Sequence, residues 1–418
     1  MTRRLLLLLC LPLLASATPD FEGIMEEFRP SAVLERRKLH RNPELSLREF
    51  ATQEFLKVRL EKIPGVELIE GDWGTGLVAI LHGGKPGPLV AWRTDMDALP
   101  VTENTGLAFA STRVDTLSGG RSAGVMHACG HDLHMTIALG MMRALSIVRD
   151  EMPGSVMLIC QPAEEIGAGA LQLLEAGLFE EGRLPKCALA LHVHPTIPLG
   201  SVGSCPGPSS ANVDGFQLTV KGRGGHGAYP HKAIDPVSLA AKMVLSFESI
   251  VAREVSVNHP CVISVGRIEG GRKSNVIPDE VVLEATVRSR DEETRKALSE
   301  MIERRVMALA EAAGAPEPEL LYYFGTAAGY NNPELVDQCR EVFRKVLGPE
   351  RETLYEPAMG GEDFSYYGKR VPGFQFRLGI GRDDREMTLH RADLDPPEEA
   401  IGTGIQLACE LIWDQLHR

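Results

Sequence analysis

The segment 127–134 reads His-Ala-Cys-Gly-His-Asp-Leu-His and concentrates metal-binding side-chain types in one short stretch. Thiolate, imidazole and carboxylate groups are the ligands that hold borderline divalent ions such as zinc. Gly130 separates Cys129 from His131 and allows both neighbours to turn to the same side. The other interpretation is a helix N-cap formed by Asp132 beside incidental histidines. The density of ligand types favours a metal site.

Two adjacent carboxylates, Glu164 and Glu165, follow the apolar run 156–160. In an extended backbone, neighbouring side chains leave on opposite sides. One carboxylate could then bind metal while the other accepts a proton from a water molecule, which is the division of roles in a metallohydrolase. Taken alone, the pair would be interpreted as exposed acids at the start of a helix.

Three continuously apolar runs lead directly into polar clusters. The runs are 88–92, 156–160 and 187–191, and the clusters are 93–97, 161–165 and 192–194. Apolar runs without alternation are typical of strands in a parallel sheet that is covered on both faces. Ligands of open α/β sheets bind at the carboxyl edge of the strands, so the three clusters are expected to meet there.

The order of the elements predicts an α/β class with a mixed, largely parallel sheet and helices on both faces. Residues 211–323 differ, because alternating strands and two helices follow one another there in β-α-β-β-α-β order. That order predicts an inserted α+β domain of ferredoxin-like type with an antiparallel sheet. We therefore expect a discontinuous catalytic domain, formed by residues 18–210 and 324–418.

The N-terminus has the pattern of a cleavable export signal: two arginines, the apolar run 5–14 and a small-residue Ala-Ser-Ala site. About ten apolar residues are too few for a membrane span, which needs roughly 20. We expect residues 1–17 to be removed and the enzyme to be secreted or periplasmic. Lipidation at Cys10 is less favoured, because leucines rather than small residues precede it.

Composition excludes several classes of function. The chain has 418 residues and a net charge of -13, which argues against a nucleic-acid partner and favours small-molecule substrates. Its 8 cysteines are irregularly spaced and form no C-x-x-C pair, so no disulfide framework is expected. After the signal, no segment could span a membrane.

Two further motif matches are rejected. Residues 120–124 match the G-x-S-x-G motif of serine hydrolases, but a polar stretch precedes them where a buried strand is required. Residues 222–227 match G-x-G-x-x-G, but Pro230 and Pro236 follow too closely for a helix to begin there. Neither a Ser122 nucleophile nor a dinucleotide site is expected.

Several stretches, in order, resemble the M20 metallopeptidase family, and specifically its amidohydrolase branch of aminoacylases, hippurate hydrolases and auxin-conjugate hydrolases. The matching stretches are 39–46, 93–100, 127–132, 161–165, 191–193, 224–226, 275–278, 362–364 and 389–390. They extend over nearly all of the mature chain. The resemblance implies a zinc-peptidase-like catalytic domain and an inserted lid domain, which often mediates dimer contacts.

The resemblance also implies the metal ligands and the general base. The ligands are Cys129, His131, Glu165, His192 and His390, and the base is Glu164. Other branches of the family use histidine where this chain has Asp95, and Cys129 supplies the compensating ligand. Asp95 and Asp97 are expected to orient ligands. The implied cofactors are two divalent ions per chain, zinc or manganese, with cobalt or nickel also compatible.

The resemblance implies that His226, on the lid, points toward the substrate. It also implies that Asn275 and Arg288 lie where they could hold a substrate carboxylate. Arginine suits this task because its planar fork binds a carboxylate at two points. A surface ion pair on a strand is an equally ordinary explanation for Arg288. A homodimer formed through an exposed edge strand of the lid is also expected.

These expectations combine into one predicted activity: metal-dependent hydrolysis of the amide bond of N-acyl amino acids, with a metal-activated water and Glu164 as general base. The first alternative keeps the same site in a metallo-carboxypeptidase or dipeptidase. The second is a non-catalytic relative that binds a ligand or stores metal. The intact set of ligands and Glu164 argue against the second alternative.

Overall fold

The computed structural model describes residues 18–117, 119–180 and 182–418. The predicted export signal at residues 1–17 lies outside the described residues. Within the described ranges, no helix is long and apolar enough to cross a lipid bilayer.

The bounds of the strands and helices are as follows. The strands are β1 (Val66–Leu68), β2 (Leu77–His82), β3 (Lys85–Asp95), β4 (Val114–Thr116), β5 (Ser122–Gly124), β6 (Pro153–Gln161), β7 (Cys187–Pro198), β8 (Val202–Ser204), β9 (Gly207–Pro208), β10 (Asn212–Lys221), β11 (Gly225–His226), β12 (Cys261–Glu269), β13 (Val276–Ile277), β14 (Glu280–Ser289), β15 (Glu319–Tyr323), β16 (Tyr330–Asn331), β17 (Glu352–Leu354) and β18 (Gly373–Gly381). The helices are α1 (Phe21–Arg41), α2 (Phe50–Leu60), α3 (His131–Ile147), α4 (Gly169–Glu175), α5 (Pro236–Arg253), α6 (Glu292–Ala312), α7 (Pro333–Leu347), α8 (Ser365–Gly368) and α9 (Ala400–His417).

The central sheet runs in the order β1-β2-β6-β3-β7-β18-β8-β17. Its middle strands β6, β3, β7 and β18 are parallel, whereas β2 and β8 join them antiparallel. Trp92 and Leu158 pack on the face covered by α1, α3 and α9, and Ala91 and Met157 pack on the opposite face with α4 and α8. The apolar runs are therefore buried on both faces, and the predicted fold class is confirmed.

The second sheet is antiparallel and runs in the order β12-β14-β10-β15. Helices α5 and α6 pack on one face of it, where Phe216 and Leu283 contact a core that includes Phe247 and Ile302. The chain order is β10-α5-β12-β14-α6-β15, as the sequence pattern predicted. We call residues 212–323 the lid; its exact boundaries stay a prediction.

A buried ion pair fixes the base of the lid. Arg295 contacts Asp214 through two nitrogens, with Nη2 2.6 Å from Oδ1 and Nε 2.9 Å from Oδ2. The backbone N–H of Gly325 also donates to Asp214, and Arg295 donates to the Gly325 carbonyl. The segments that enter and leave the lid are therefore tied together at one point.

A second buried ionic cluster attaches α1 to the first turn of α3. Asp132 accepts hydrogen bonds from Arg36 Nε at 2.7 Å and from His40 Nδ1 at 2.9 Å. The other ring nitrogen of His40 lies 3.1 Å from a carboxylate oxygen of Glu103. Burial opposes the charge on His40, but the two carboxylates raise its pKa to about 9.

Replacing His40 by glutamine is expected to destabilise the fold in a pH-dependent manner. Because the folded pKa of about 9 exceeds the unfolded value of 6.5, the charged imidazole stabilises the fold fully below pH 6.5 and loses this effect as the pH rises through 9. The stability difference between wild type and H40Q should shrink by about 3 kcal/mol between pH 6 and pH 10. Urea denaturation of the chelator-treated proteins measures it.

The exposed His82, which pairs with Glu67, provides a matched control. Its replacement by glutamine should leave the free energy of unfolding nearly unchanged at both pH values. A stability loss in H40Q that did not vary with pH would refute the charged state assigned to His40.

Candidate metal centre and active site

The carboxyl edge of the central sheet gathers the predicted site. Strand β3 ends at Asp95, β6 ends at Gln161, and β7 carries His192 along this edge. Helix α3 begins at His131 and points its N-terminus into the same region. Its preceding residue, Gly130, has φ +85°, and a Cβ there would lie 2.5 Å from Val193 Cγ2. Only glycine fits this close approach.

The five predicted ligands meet in two groups that share one sulfur atom. Cys129 Sγ lies 3.4 Å from His192 Nε2 and 3.3 Å from His390 Nε2. One group contains Cys129, His131 and His192, the other contains Cys129, Glu165 and His390, and within each group the ligand atoms lie within 4.8 Å of one another. Together the two groups would offer the thiolate, imidazole and carboxylate ligands that suit divalent ions, with Cys129 a member of each.

Hydrogen bonds to the backbone fix which nitrogen each imidazole presents. His131 Nδ1 lies 2.8 Å from the Asp97 carbonyl, and His192 Nδ1 lies 2.8 Å from the Val193 carbonyl. A carbonyl oxygen can only accept, so both Nδ1 atoms carry a proton, and in the neutral imidazole the lone pair is then on Nε2. These Nε2 atoms are the ones that enter the ligand groups.

Buried polar atoms at the centre fit a cation. Within the described part of the chain, His131 Nε2 and Glu165 Oε1 are buried and have no hydrogen-bond partner. Leaving such atoms unpaired in the interior costs free energy, so their presence indicates a ligand. Lone pairs of nitrogen, sulfur and carboxylate oxygen together match a divalent metal ion.

Glu164 and Glu165 lie in a turn, so the predicted extended geometry is wrong. Ala163 adopts φ +53°, and the N–H of Gly167 donates to the Glu164 carbonyl at 2.8 Å. The left-handed Ala163 redirects the chain as it leaves β6. Both carboxylates therefore approach the same atom, His131 Nε2, each at 3.9 Å.

Burial and like charges govern the acids of the site. Burial, with Glu362 and Glu165 nearby, raises the pKa of Glu164 well above its usual range. Burial likewise raises the pKa of Glu165 to about 7. The pKa of the Cys129 thiol is raised by burial and by Glu165. Without a cation, these groups hold protons near neutral pH.

Metal affinity is therefore expected to fall steeply on acidification. Cys129 and Glu165 must each release a proton to bind metal, and the pKa of Glu165 is about 7. We expect the apparent dissociation constant for zinc to rise at least about tenfold per pH unit between pH 8 and pH 6. Competition titrations with a chromogenic chelator measure it. An affinity independent of pH would contradict the assignment of protonated ligands.

Asp95 and Asp97 hold the surroundings in place, in different ways. Asp97 Oδ2 accepts hydrogen bonds from the Glu165 backbone at 3.0 Å and from Ser46 Oγ at 2.7 Å. Asp95 accepts from Arg93 Nη1 at 2.6 Å and from His134 Nδ1 at 2.7 Å. Since His134 Nε2 accepts from the Val193 backbone, His134 has no lone pair left for metal.

No role was predicted for Arg93, Glu362 or Asp363, although they lie within the matching stretches 93–100 and 362–364. Arg93 is fully buried and donates to Glu362 and Asp363 at 3.1 Å each, as well as to Asp95. Gln161 also donates to Asp363. A buried arginine at the end of an apolar strand is the signal that could have predicted this network.

A cavity of about 630 Å³ opens over the ligand groups. Glu164, four of the ligands and Arg288 line it, together with Arg377 and other residues of the catalytic part. His226 and Asn275 are not among the lining residues; both are exposed, His226 in β11 and Asn275 directly before β13. Of the three lid residues expected to contact substrate, Arg288 lines the cavity, and the predicted role of all three stays a prediction.

Comparison with known proteins identifies the family. The sequence profile described as Peptidase family M20/M25/M40 matches residues 91–414. The chain belongs to the M20 peptidase family. This M20 chain is 37% identical over 371 residues to an N-acetyldiaminopimelate deacetylase of Bacillus cytotoxicus, covering 89% of the chain and 94% of that protein. It is 35% identical over 378 residues to an N-acetylcysteine deacetylase of Bacillus subtilis, covering 90% and 94%.

A solved structure agrees with this assignment. The YXEP protein of Bacillus subtilis, described as a dinuclear metal-binding peptidase from the M20 family, superimposes with a TM-score of 0.80 at 31% identity. The superposition covers 94% of this M20 chain and 99% of that one. The predicted family and the predicted class of metal-dependent amidohydrolase are thereby confirmed.

Proposed function

We propose that this enzyme hydrolyses the amide bond of N-acyl amino acids with two divalent metal ions, zinc or manganese. The observation that carries the proposal is the pair of ligand groups sharing Cys129 Sγ, with Glu164 beside them in the same cavity. The two named relatives, which act on N-acetyl amino acids, support it.

When bound, the two ions supply Lewis-acid activation of water and of the amide carbonyl. Glu164 provides the proton transfer: its carboxylate takes a proton from the attacking water and returns it to the leaving amine. Its burial and its acidic neighbours raise its pKa, which makes it a stronger base once it has lost its proton. Arg93 and Asp95 keep the surrounding groups fixed during this exchange.

Arg288 would bind the substrate carboxylate; its position in the cavity lining, on β14, supports this role. His226 and Asn275 lie outside the lining, so their proposed roles require the lid to close or a second copy of the chain to supply them. A homodimer through the exposed edge strand β12 belongs to this proposal.

Replacing His226 by alanine is expected to lower kcat about 10²- to 10³-fold, because the variant would lose a donor that stabilises the developing oxyanion. Metal content should stay unchanged, since His226 is not one of the predicted ligands and does not line the cavity. Steady-state kinetics and elemental analysis measure the two quantities. Replacement of the exposed His231 on the same lid provides the control. Wild-type kcat in H226A would remove this residue from the active site.

We also propose that the enzyme is exported, with residues 1–17 as the signal. N-terminal sequencing of the protein recovered from fractionated cells tests this proposal. A mature protein that began at Met1 and stayed in the cytoplasm would refute it.

The proposed reaction is tested by assaying residues 18–418 for amine release from N-acetyl and N-benzoyl amino acids and from dipeptides. Activity should disappear after chelation and return with added metal. A preference for dipeptides would favour the carboxypeptidase or dipeptidase alternative, which uses the same site. No hydrolysis of any of these compounds by metal-loaded protein would refute the proposal and favour a binding protein.

A further inference from the structure

Two arginines line the cavity above the ligand groups, one from each part of the molecule. Arg288 comes from β14 of the lid and Arg377 from β18 of the central sheet. Both are half-buried. Within the described residues, neither guanidinium lies within ion-pair distance of a carboxylate. The buried Arg36, Arg93 and Arg295 differ, because each pairs with an aspartate.

Sheet register places Arg377 beside a metal ligand. It faces His192 across the parallel pairing of β18 with β7, and facing residues leave a sheet on the same side. His194, two residues farther along β7, lines the cavity on that side as well. The guanidinium of Arg377 therefore lies at the wall that adjoins the ligand group of Cys129, His131 and His192.

The side chain of Arg377 is held by an aromatic ring. Its guanidinium carbon lies 5.7 Å from the centroid of the Tyr355 ring, and the His194 ring stacks on the same tyrosine with an interplanar angle of 22°. A Cβ at Gly203 would lie 3.0 Å from Tyr355 Cδ1, so the glycine leaves room for this ring. The ring thus orients the cation, and Arg377 lines the cavity where a ligand could reach it.

The proposed function requires one cationic side chain, Arg288, to bind the carboxylate of the amino acid. It assigns no role to Arg377. A half-buried guanidinium with no carboxylate of the described residues within ion-pair distance favours an anionic ligand, and carboxylates bind it through two parallel hydrogen bonds. A cavity of about 630 Å³ is large enough to hold an acyl amino acid with an additional acidic group.

We propose that Arg377 determines specificity by binding a second carboxylate, so that the enzyme prefers N-acyl amino acids that are dianions. This inference rests on the proposed amide hydrolysis and names its substrate class. The second carboxylate has two possible sources, an acidic amino-acid side chain or an acidic acyl group. The chemistry at Arg377 is the same for both.

Matched substrate pairs test the inference and distinguish the sources. N-acetylglutamate is compared with N-acetylglutamine, and N-succinylalanine with its neutral amide, N-succinamoylalanine. For wild type, we expect kcat/KM to favour the dianion at least about tenfold in one pair, since a charge-assisted hydrogen bond contributes about 1.5–3 kcal/mol. The pair that responds identifies the source.

Arg377→Met should bring this selectivity ratio close to one, mainly through KM, and Arg377→Lys should retain part of it. The exposed Arg370 precedes the same strand, and Arg370→Met serves as the matched control with the wild-type ratio. A wild-type ratio of one or less in both pairs would overturn the inference. An equal fall in kcat/KM for both members of a substrate pair in Arg377→Met would also overturn it.

Calorimetric binding separates this inference from the proposed reaction. Glutamate and succinate should bind the metal-loaded wild type at least about tenfold more tightly than glutamine and succinamate, and Arg377→Met should lose the difference. Such binding without hydrolysis of any acyl amino acid would uphold the second carboxylate site and refute the reaction. Hydrolysis of acyl amino acids with no preference for the second carboxylate in either assay would uphold the reaction and refute the second carboxylate site.

Discussion

Glutamine in place of Glu164 is expected to lower kcat by about 10²- to 10⁴-fold while the protein keeps its full metal content. The substitution preserves the shape of the side chain but removes the group that exchanges a proton. Glu164 lies in the cavity, 3.9 Å from His131 Nε2, and belongs to the turn that also carries a ligand. Steady-state kinetics measure the loss, and elemental analysis measures the bound metal.

Glu165→Gln is the matched control for this prediction, because the two residues are adjacent and differ in role. Glu165 Oε2 lies 3.6 Å from His390 Nε2 within a ligand group. Its replacement should weaken metal binding, and added metal should restore part of the activity. Activity of Glu164→Gln that recovered with added metal would show that Glu164 is a ligand and that the roles are exchanged.

Hydrophobic pattern was sufficient to predict the sheet. The run 88–92 lies within β3, and its residues alternate between the two cores, with Trp92 on one side and Ala91 on the other. The run is apolar throughout because both faces of the sheet are covered by helices. The lid was predictable from an alternating pattern. Helices cover only one face of its sheet, so β14 buries every second residue.

Local sequence could not predict the turn at Glu164. A carboxylate pair after a strand is compatible with an extended chain, and Ala163 carries no sign of a left-handed conformation. A distant contact holds that conformation: the Ala163 N–H donates to Glu49, 114 residues away, at 2.8 Å. Contacts across such separations leave no periodic signal in the sequence.

The substrate side of the site was the least predictable part. The metal ligands could be predicted from residue type, because few side chains bind metal. A cation that binds substrate resembles any surface arginine until its neighbours are known. Arg377 lies inside a mostly apolar strand, and only the pairing of β18 with β7 places it beside His192. His226 belongs to the matching stretch 224–226, but it does not line the cavity.

Replacing Cys129 by alanine is expected to weaken the binding of both metal ions at least about 100-fold and to abolish activity at ordinary metal concentrations. Cys129 Sγ is common to the two ligand groups, so its loss affects both ions at once. His390 belongs to one of the two groups that contain Cys129, so His390→Ala should weaken one ion much more than the other. Metal-to-protein ratios after dialysis against a metal buffer measure both variants.

Cys160→Ala separates loss of a ligand from loss of a buried thiol, because Cys160 is equally buried but belongs to the hydrophobic core. This control should bind two ions like the wild type and differ only by a small loss of stability. If Cys129→Ala retained one tightly bound ion, the sulfur would serve a single ion. The two groups would then be independent sites, and the remaining ion would have to be held by the imidazole and carboxylate ligands alone.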